Sequence, residues 1–405
     1  MLKRWSCLAV GMIIVSSVFT FAARAEDEVD TEVPLDLTLR TKAAAVTAKT
    51  ADGSVLESPA SHVYLVDSDT GAVLADKAGD QKMYPSSMTK IMTLYVLFDR
   101  LKQGSIALDS QFTVSEKAWR MQGSKMFVPL GGQVSLEDLI RGIAIQSGND
   151  ACVVAAEGIA GSEDAFAKIM NDTAKKIDMT NSNFTDASGW PHPAHTTTAH
   201  DMAVLGEALI NDFPEYYHYL SEREYTYNGI RQFNRNLLLG NPSLKVDGIK
   251  TGHTEAAGYG ITLSAKDPAS NRRLVLVING LDSEAARAQE GERLLKWGFA
   301  NFHNIKAFSA NAPIANAKVW MGSAREIPLA AGSDVVITAP KSGAAPYKAS
   351  VTYQSPLIAP VVKGAEVGKL NVTFADGSTK EFPLVAAEDA SKLGFLARIP
   401  RALGL

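Results

Sequence analysis

Cysteine is almost missing from this chain: Cys7 and Cys152 are the only two in 405 residues. Even that pair is not expected to survive maturation. Lys3 and Arg4 form a basic start, Leu8 to Phe21 is a nearly uninterrupted run of apolar and small residues, and Ala23-Arg24-Ala25 has the A-x-A form of a cleavage site before Glu26. Residues 1–25 therefore read as a secretory signal peptide. Cleavage after Ala25 removes Cys7, so no intramolecular disulfide is possible. A Gram-negative periplasm suits such a protein, but its fold does not need oxidising conditions.

Three other shortages narrow the field. The run from Leu8 to Phe21 is short for a bilayer crossing, which makes a permanent anchor the poorer reading of the N-terminus. Positive charge is scarce. Cleavage removes Lys3, Arg4 and Arg24 but no acidic residue, leaving 37 basic against the 44 acidic residues and a net charge of −7. That argues against nucleic acid or another polyanion as partner. His192 and His195 have no third ligand at metal spacing and read as loop residues near the rim of a site, and no metal or organic cofactor is called for. The remainder is ordinary: 46% hydrophobic and 21% charged residues, enough apolar material for a full core, with no internal repeat.

What is present falls into segments. Residues 26–55, acidic and then rich in Ala and Thr, read as a flexible lead-in. Ser61 to Asp67 and Ala72 to Asp76 look like strands around the turn Ser68-Asp69-Thr70-Gly71. Met88, Ile91, Met92, Tyr95, Val96 and Phe98 have helical spacing within 86–102. A second helix runs from about Ser135 to Ile145, with Ser135 and Asp138 placed like a capping box, and a third begins near Asp150 and ends before Gly161. Gly248 to Thr251, Tyr259 to Ala265 and Arg273 to Asn279 read as strands, closed by a helix from Glu284 to Phe302. The order predicts an α/β catalytic domain, 56–304, with an antiparallel sheet covered by helices. From 305 to 388 short strand candidates (Asp334 to Thr338, Ala349 to Gln354, Lys369 to Phe374, Lys380 to Leu384) and the hairpin turn Asp376-Gly377 predict a small all-β domain. Residues 389–405 form a short tail.

Three motifs occur in one order: Ser87-Met88-Thr89-Lys90, Ser147-Gly148-Asn149 and Lys250-Thr251-Gly252. Each alone is weak; together they outline acyl-transfer chemistry. Ser87 and Lys90 lie one helical turn apart on one face. A serine hydroxyl needs a base, and a lysine serves if burial or a second cation lowers its pKa; Lys250 is the natural cation. The helix start favours negative charge at Ser87 and offers its N–H to an oxyanion. Ser147, between two helices, can relay a proton to a leaving group, while the Asn149 amide can bind a substrate carbonyl or orient Lys90. Thr251 can hold a substrate carboxylate beside Lys250. Gly252 leaves room for a peptide against the strand, and the His253 N–H is the second oxyanion donor. Cys152, on the first turn of an Ala- and Val-rich helix, reads as a packed core thiol.

This motif set is that of penicillin-binding proteins and serine β-lactamases. Tyr84 to Lys90, Gln146 to Ala151, His195 to Met202, Asn228 to Asn236, Val246 to Thr254 and Leu294 to Phe299 resemble the low-molecular-mass penicillin-binding D-Ala-D-Ala carboxypeptidases, with likeness over about residues 55–390. The resemblance implies an acyl-serine mechanism on peptidoglycan stem peptides, inhibition by β-lactams, a location in the periplasm or cell envelope, and a carboxylate-binding arginine, matched here by Arg287. Members often end in a longer amphipathic helix on the membrane. Here Gly394 and Pro400 weaken a helix, so the tail implies at most weak peripheral membrane contact. Rival functions on the same fold are a DD-endopeptidase and a serine β-lactamase. Against the latter, no E-x-x-L-N follows Ser147. A non-catalytic envelope-binding protein is disfavoured by the intact Ser87, Lys90 and Lys250.

Overall fold

The computed structural model of the chain describes residues 47–51, 53–341, 347–374 and 378–394. The signal segment, the lead-in as far as residue 46, the Asp376-Gly377 turn and the tail from 395 onward lie outside the described residues. In chain order the first half contains strands β1 (Thr47–Thr50), β2 (Leu56–Glu57), β3 (His62–Asp67) and β4 (Ala72–Lys77), then helix α1 (Lys90–Lys102) behind a 3-10 turn, Ser86–Thr89. A helical block follows: β5 (Gln111–Thr113), α2 (Glu116–Arg120), β6 (Gln133–Ser135), α3 (Leu136–Ala144), α4 (Asn149–Ala160), α5 (Glu163–Lys176) and α6 (Ala199–Asp212). The hairpin β7 (Glu224–Tyr227) and β8 (Ile230–Phe233) leads to β9 (Lys245–Thr254), β10 (Gly258–Lys266), β11 (Arg273–Leu281) and α7 (Glu284–Asn301).

These strands build one seven-stranded sheet in the order β2-β1-β4-β3-β11-β10-β9, antiparallel throughout. Both faces are covered, so its central strands are apolar at nearly every position. The two-residue period shows in which core each side chain joins. Val63, Leu65, Leu274, Leu276 and Ile278 pack with Leu294 and Leu295 of α7, whereas Tyr64, Val66, Val275 and Val277 pack with α1, α3, α4 and α6 on the opposite face. β9 is left at the edge, with the motif lysine on it.

Capping explains several helix starts. The Ser135 hydroxyl accepts from the Asp138 N–H at 3.1 Å and donates to the Asp138 carboxylate at 2.7 Å, so α3 begins one residue later than the sequence pattern suggests. α5 and α6 carry Ser162 and Thr198 as N-caps.

The remaining strands are β12 (Phe302–Phe308), β13 (Pro313–Trp320), β14 (Glu326–Ala331), β15 (Val335–Pro340), β16 (Tyr347–Tyr353), β17 (Leu357–Ile358), β18 (Glu366–Phe374) and β19 (Thr379–Ala386). They form a six-stranded sheet, β16-β18-β19-β14-β13-β17, and the pair β12-β15, around a core that includes Ile327, Leu329, Ile337, Leu370 and Leu384. The molecule is thus an α/β body with a helix-covered antiparallel sheet, followed by an all-β unit. The strands of this unit not picked out from the sequence, β12 to β14 and β17, have weak signatures: β12 follows α7 with no turn between them, β13 opens on Pro313, β14 carries Pro328, and β17 is only Leu357–Ile358.

A buried ion pair ties the two sheets together. Asp67, fully buried at the end of β3, receives Arg272 Nε, and Asn304 Nδ2 of β12 at 3.3 Å; Arg272 also donates to the Phe302 carbonyl at 2.6 Å. The Thr70 hydroxyl meets that of Thr338 at 2.6 Å, and Lys380 reaches the Thr70 carbonyl. Replacing Asp67 by Ala strands a buried guanidinium. The expected loss is about 3–5 kcal/mol, read as a lower urea midpoint; an unchanged midpoint would contradict this role for the pair.

Candidate active site

The 3-10 turn Ser86–Thr89 lies across the edge strand β9, and glycine allows the contact. A Cβ at Gly252 would stand 2.7 Å from the Pro85 carbonyl and 3.2 Å from the Met88 nitrogen. The missing side chain therefore lets the serine turn sit on the strand, a different reason from room for a peptide. From residue 83 to residue 90 only Ser87 is not buried, so a hydroxyl meets solvent in an otherwise closed stretch.

Lys90 is fully buried at the start of α1 and has three oxygens around its Nζ: Ser87 Oγ at 2.9 Å, Asn149 Oδ1 at 2.8 Å and the Ser188 carbonyl at 2.6 Å. Asn149 donates its Nδ2 to the Gln122 carbonyl at 2.8 Å, which turns its oxygen to Lys90; of the two roles open to it, orienting the lysine is the one its contacts serve. Burial is the main cause that lowers the Lys90 pKa, with Asp186 and Asp150 opposing and Arg235 assisting. Lys250 is the neighbouring cation, and the repulsion between the two ammonium groups is mutual. The Lys250 pKa is held well below the ordinary lysine value by burial, then by Lys90, Arg235 and Arg287. Among the described residues, the one hydrogen bond of Lys250 is a 3.3 Å contact to the Thr251 carbonyl, so Lys250 is the less stabilised of the two ammonium groups.

Ser147 lies between α3 and α4 in the left-handed region, φ 58°, with a buried Oγ that has no hydrogen-bond partner among the described residues. An unsatisfied hydroxyl on a strained backbone is costly, and such features cluster where function requires them. Thr251 is buried on β9, and the exposed His253 ring stacks on Tyr259 at 3.8 Å. Arg287 on α7 is buried, fixed by Glu284 at 2.9 Å, the Arg235 carbonyl at 3.1 Å and the Tyr259 ring. Lys250, Arg287 and Arg235 thus make one electropositive corner, as Lys250 feels both arginines.

Three site residues have no counterpart among the motif assignments. Arg235 donates to Ser124 Oγ at 2.6 Å and brings the loop between α2 and β6 to the cleft. Asp150, buried at the start of α4, accepts the N–H groups of Met126, Phe127, Val128 and Ala151 at 2.8 to 3.2 Å, pinning the same loop. Its position directly after Asn149, at a helix start, was the available signal. Asp186 forms the turn that carries Ser188. His195 also differs from its expected place at the rim: it is 2% exposed, with Nε2 2.9 Å from the Thr89 hydroxyl. Cys152 is a buried free thiol in α4 whose pKa burial pushes up to about 12. No cluster of metal-ligating side chains occurs among the described residues.

Comparison with known proteins agrees along almost the whole described chain. Residues 45–283 match the family model of D-alanyl-D-alanine carboxypeptidase (peptidase S11), and residues 302–392 match the C-terminal domain of penicillin-binding protein 5. The D-alanyl-D-alanine carboxypeptidase DacC of Escherichia coli is 41% identical over 342 residues, covering 83% of this chain and 85% of that protein. Penicillin-binding protein 5 from Haemophilus influenzae superposes with a TM-score of 0.74 at 39% identity, over 82% of this chain and 98% of that one. Penicillin-Binding Protein D2 from Listeria monocytogenes, in its ampicillin-bound form, superposes with a TM-score of 0.54 at 25% identity, over 59% of this chain and 97% of that one.

Proposed function

The chain belongs to the D-alanyl-D-alanine carboxypeptidase family, and from that premise we propose that it removes the terminal D-alanine of peptidoglycan stem peptides through an acyl-enzyme on Ser87. The carboxypeptidase activity follows from family membership; the residue roles are our reading. The observation that carries it is the arrangement around Lys90 Nζ. A neutral amine has two N–H bonds and one lone pair. The Asn149 and Ser188 oxygens take the two N–H bonds. The lone pair is then left facing Ser87, 2.9 Å away, whose O–H it can accept.

The steps follow. Lys90 takes the Ser87 proton, and Oγ attacks the carbonyl between the two D-alanines. The N–H groups of Ser87 and His253 stabilise the oxyanion. Thr251, Arg287 and Lys250 bind the terminal carboxylate, whose charge restores a favourable environment for the Lys250 ammonium. Ser147 relays the proton held by Lys90 to the departing D-alanine, and water then hydrolyses the acyl-serine, returning a proton to Ser87 Oγ. The catalytic domain in this reading is 56–304 and the β domain 305–388; the separate apolar core of the latter supports that division. We place the enzyme in the periplasm or cell envelope, with at most weak peripheral membrane contact from residues 389–405.

Two substrates test the proposal. A pentapeptide ending in D-Ala-D-Ala should release free D-alanine. Penicillin should give a stoichiometric burst followed by slow turnover, because the opened ring stays tethered and obstructs water, whereas D-alanine diffuses away. A deacylation slowed 100-fold corresponds to about 2.7 kcal/mol of barrier. Rapid multiple turnover of penicillin with no D-alanine release would instead mark a β-lactamase. Cleavage of cross-linked peptides in preference to the pentapeptide would mark an endopeptidase.

A further inference from the structure

Behind the serine–lysine pair lies a second hydrogen-bonded chain that the reaction as written does not use. Asp186 Oδ1 gathers four donors: the N–H of Ser188 at 2.7 Å, the Ser188 hydroxyl at 2.8 Å, and the N–H groups of Gly189 at 2.8 Å and Trp190 at 3.1 Å. One carboxylate oxygen thus closes the whole 186–190 turn. Oδ2 lies 3.0 Å from His195 Nδ1, which the Thr185 amide and hydroxyl also approach; the other ring nitrogen meets Thr89 Oγ1 at 2.9 Å. Burial opposes ionisation of Asp186, but the contacts from His195 and Ser188 prevail and hold its pKa below the usual carboxylate range.

The turn rests directly on the catalytic turn. Gly189 has φ 80°, and a Cβ there would stand 1.9 Å from the Ser86 carbonyl and 2.7 Å from Thr89 Oγ1. Thr89 is the residue between Met88 and Lys90, so His195 anchors the far side of the same turn. The Ser188 carbonyl, flanked by two of the amides bound to Asp186, makes the 2.6 Å contact with Lys90 Nζ.

We propose that Asp186 is a positioning residue for the base of this reaction: by closing the 186–190 turn against Thr89 and Ser86, it holds the Ser188 carbonyl on Lys90 and so directs the amine's remaining valence at Ser87. This rests on the assignment of Lys90 as base. The side chain does not itself touch the reacting atoms. Its charge has a second consequence. The charged groups acting on Lys90 are Asp186 and Asp150, which favour the ammonium form, and Arg235, which disfavours it; the Cys152 thiol lies close by, and Lys250 is the neighbouring lysine. Removing the Asp186 charge removes support for the ammonium. Loosening the Ser188 carbonyl removes more, so both effects move the loss of the Lys90 proton to lower pH.

The test is the pH dependence of acylation by a fluorescent penicillin, with the thermal midpoint measured alongside. The mature protein, Lys90→Arg, Asp186→Asn and Asp186→Thr are compared. Asparagine keeps the shape of the turn and an oxygen for the amides; threonine is a second uncharged acceptor should the first variant fold poorly. The rate should rise with pH in the mature protein, and that rising limb should vanish in Lys90→Arg. In the Asp186 variants the limb should move by about 1 pH unit to lower pH, and the plateau should fall by about 10- to 100-fold as the base is misdirected. A limb that superimposes on that of the mature protein, or moves to higher pH, overturns the proposal, whatever happens to the thermal midpoint, because a purely structural role would change stability alone. A limb that persists in Lys90→Arg overturns the base assignment itself, and this inference with it.

Discussion

Ser87→Ala is expected to abolish covalent labelling by penicillin and to lower D-alanine release by about 10⁴-fold or more, equivalent to about 5.4 kcal/mol of transition-state stabilisation. The size follows from what the substitution removes. No acyl-enzyme can form, and what remains is the binding of the terminal carboxylate and the oxyanion donors, which help water only modestly. The fold has little reason to change. Ser87 is the one residue between 83 and 90 that is not buried, its Oγ contacts Lys90, and alanine keeps the Cβ. The thermal midpoint of the variant should therefore stay close to the original. Labelling of the alanine variant at an undiminished rate would end the assignment of the nucleophile.

The second large effect is expected for Lys90→Arg, with acylation falling by about 10³-fold or more and losing its dependence on pH. In the native protein burial lowers the Lys90 pKa, so the neutral, proton-accepting form is reached at a lower pH than for an ordinary lysine. Acylation should accordingly climb as the pH rises through the Lys90 pKa. A guanidinium keeps positive charge and can still donate to Asn149 and Ser188, but it cannot release a proton in this range. The comparison separates charge from basicity. A near-native acylation rate in Lys90→Arg would leave Lys90 with a structural role only. A drop that keeps the rising limb would place the titrating base elsewhere.

The sequence was informative where function depends on local spacing. Ser87 and Lys90 are one turn apart in a segment that must be helical to bury Met88, Ile91 and Met92. Ser147 falls in the short break between α3 and α4, and Lys250 to Gly252 lies in a strand bounded by turns. The sheet was legible from the order of elements, two strands, a helical block, three strands and a helix, and β3 and β11, apolar on both faces, fit a sheet covered on both sides.

What escaped depends on distance along the chain. The Ser188 carbonyl reaches Lys90 from 98 residues away, and a backbone oxygen leaves no mark on residue type. Asp186 and His195 have ordinary loop surroundings in sequence, and nothing there says that the histidine ends up buried against Thr89 rather than at the rim. Gly252 shows a comparable limit. A glycine on a strand signals a close approach, but sequence does not say whether a substrate or the Pro85–Met88 turn approaches. The electrostatics of the two lysines could not be apportioned either, because which ammonium is better supported depends on the three oxygens around Lys90 and the single long contact of Lys250.

The central claim, an acyl-enzyme on Ser87, is tested most directly by locating the adduct. The mature protein is incubated with a labelled penicillin, digested, and the modified peptide sequenced by mass spectrometry. The account predicts one label per chain, on the peptide containing Ser87-Met88-Thr89-Lys90 and borne by Ser87 itself. A label on any other residue, or D-alanine release from the pentapeptide by a protein that never forms a penicillin adduct, would contradict it.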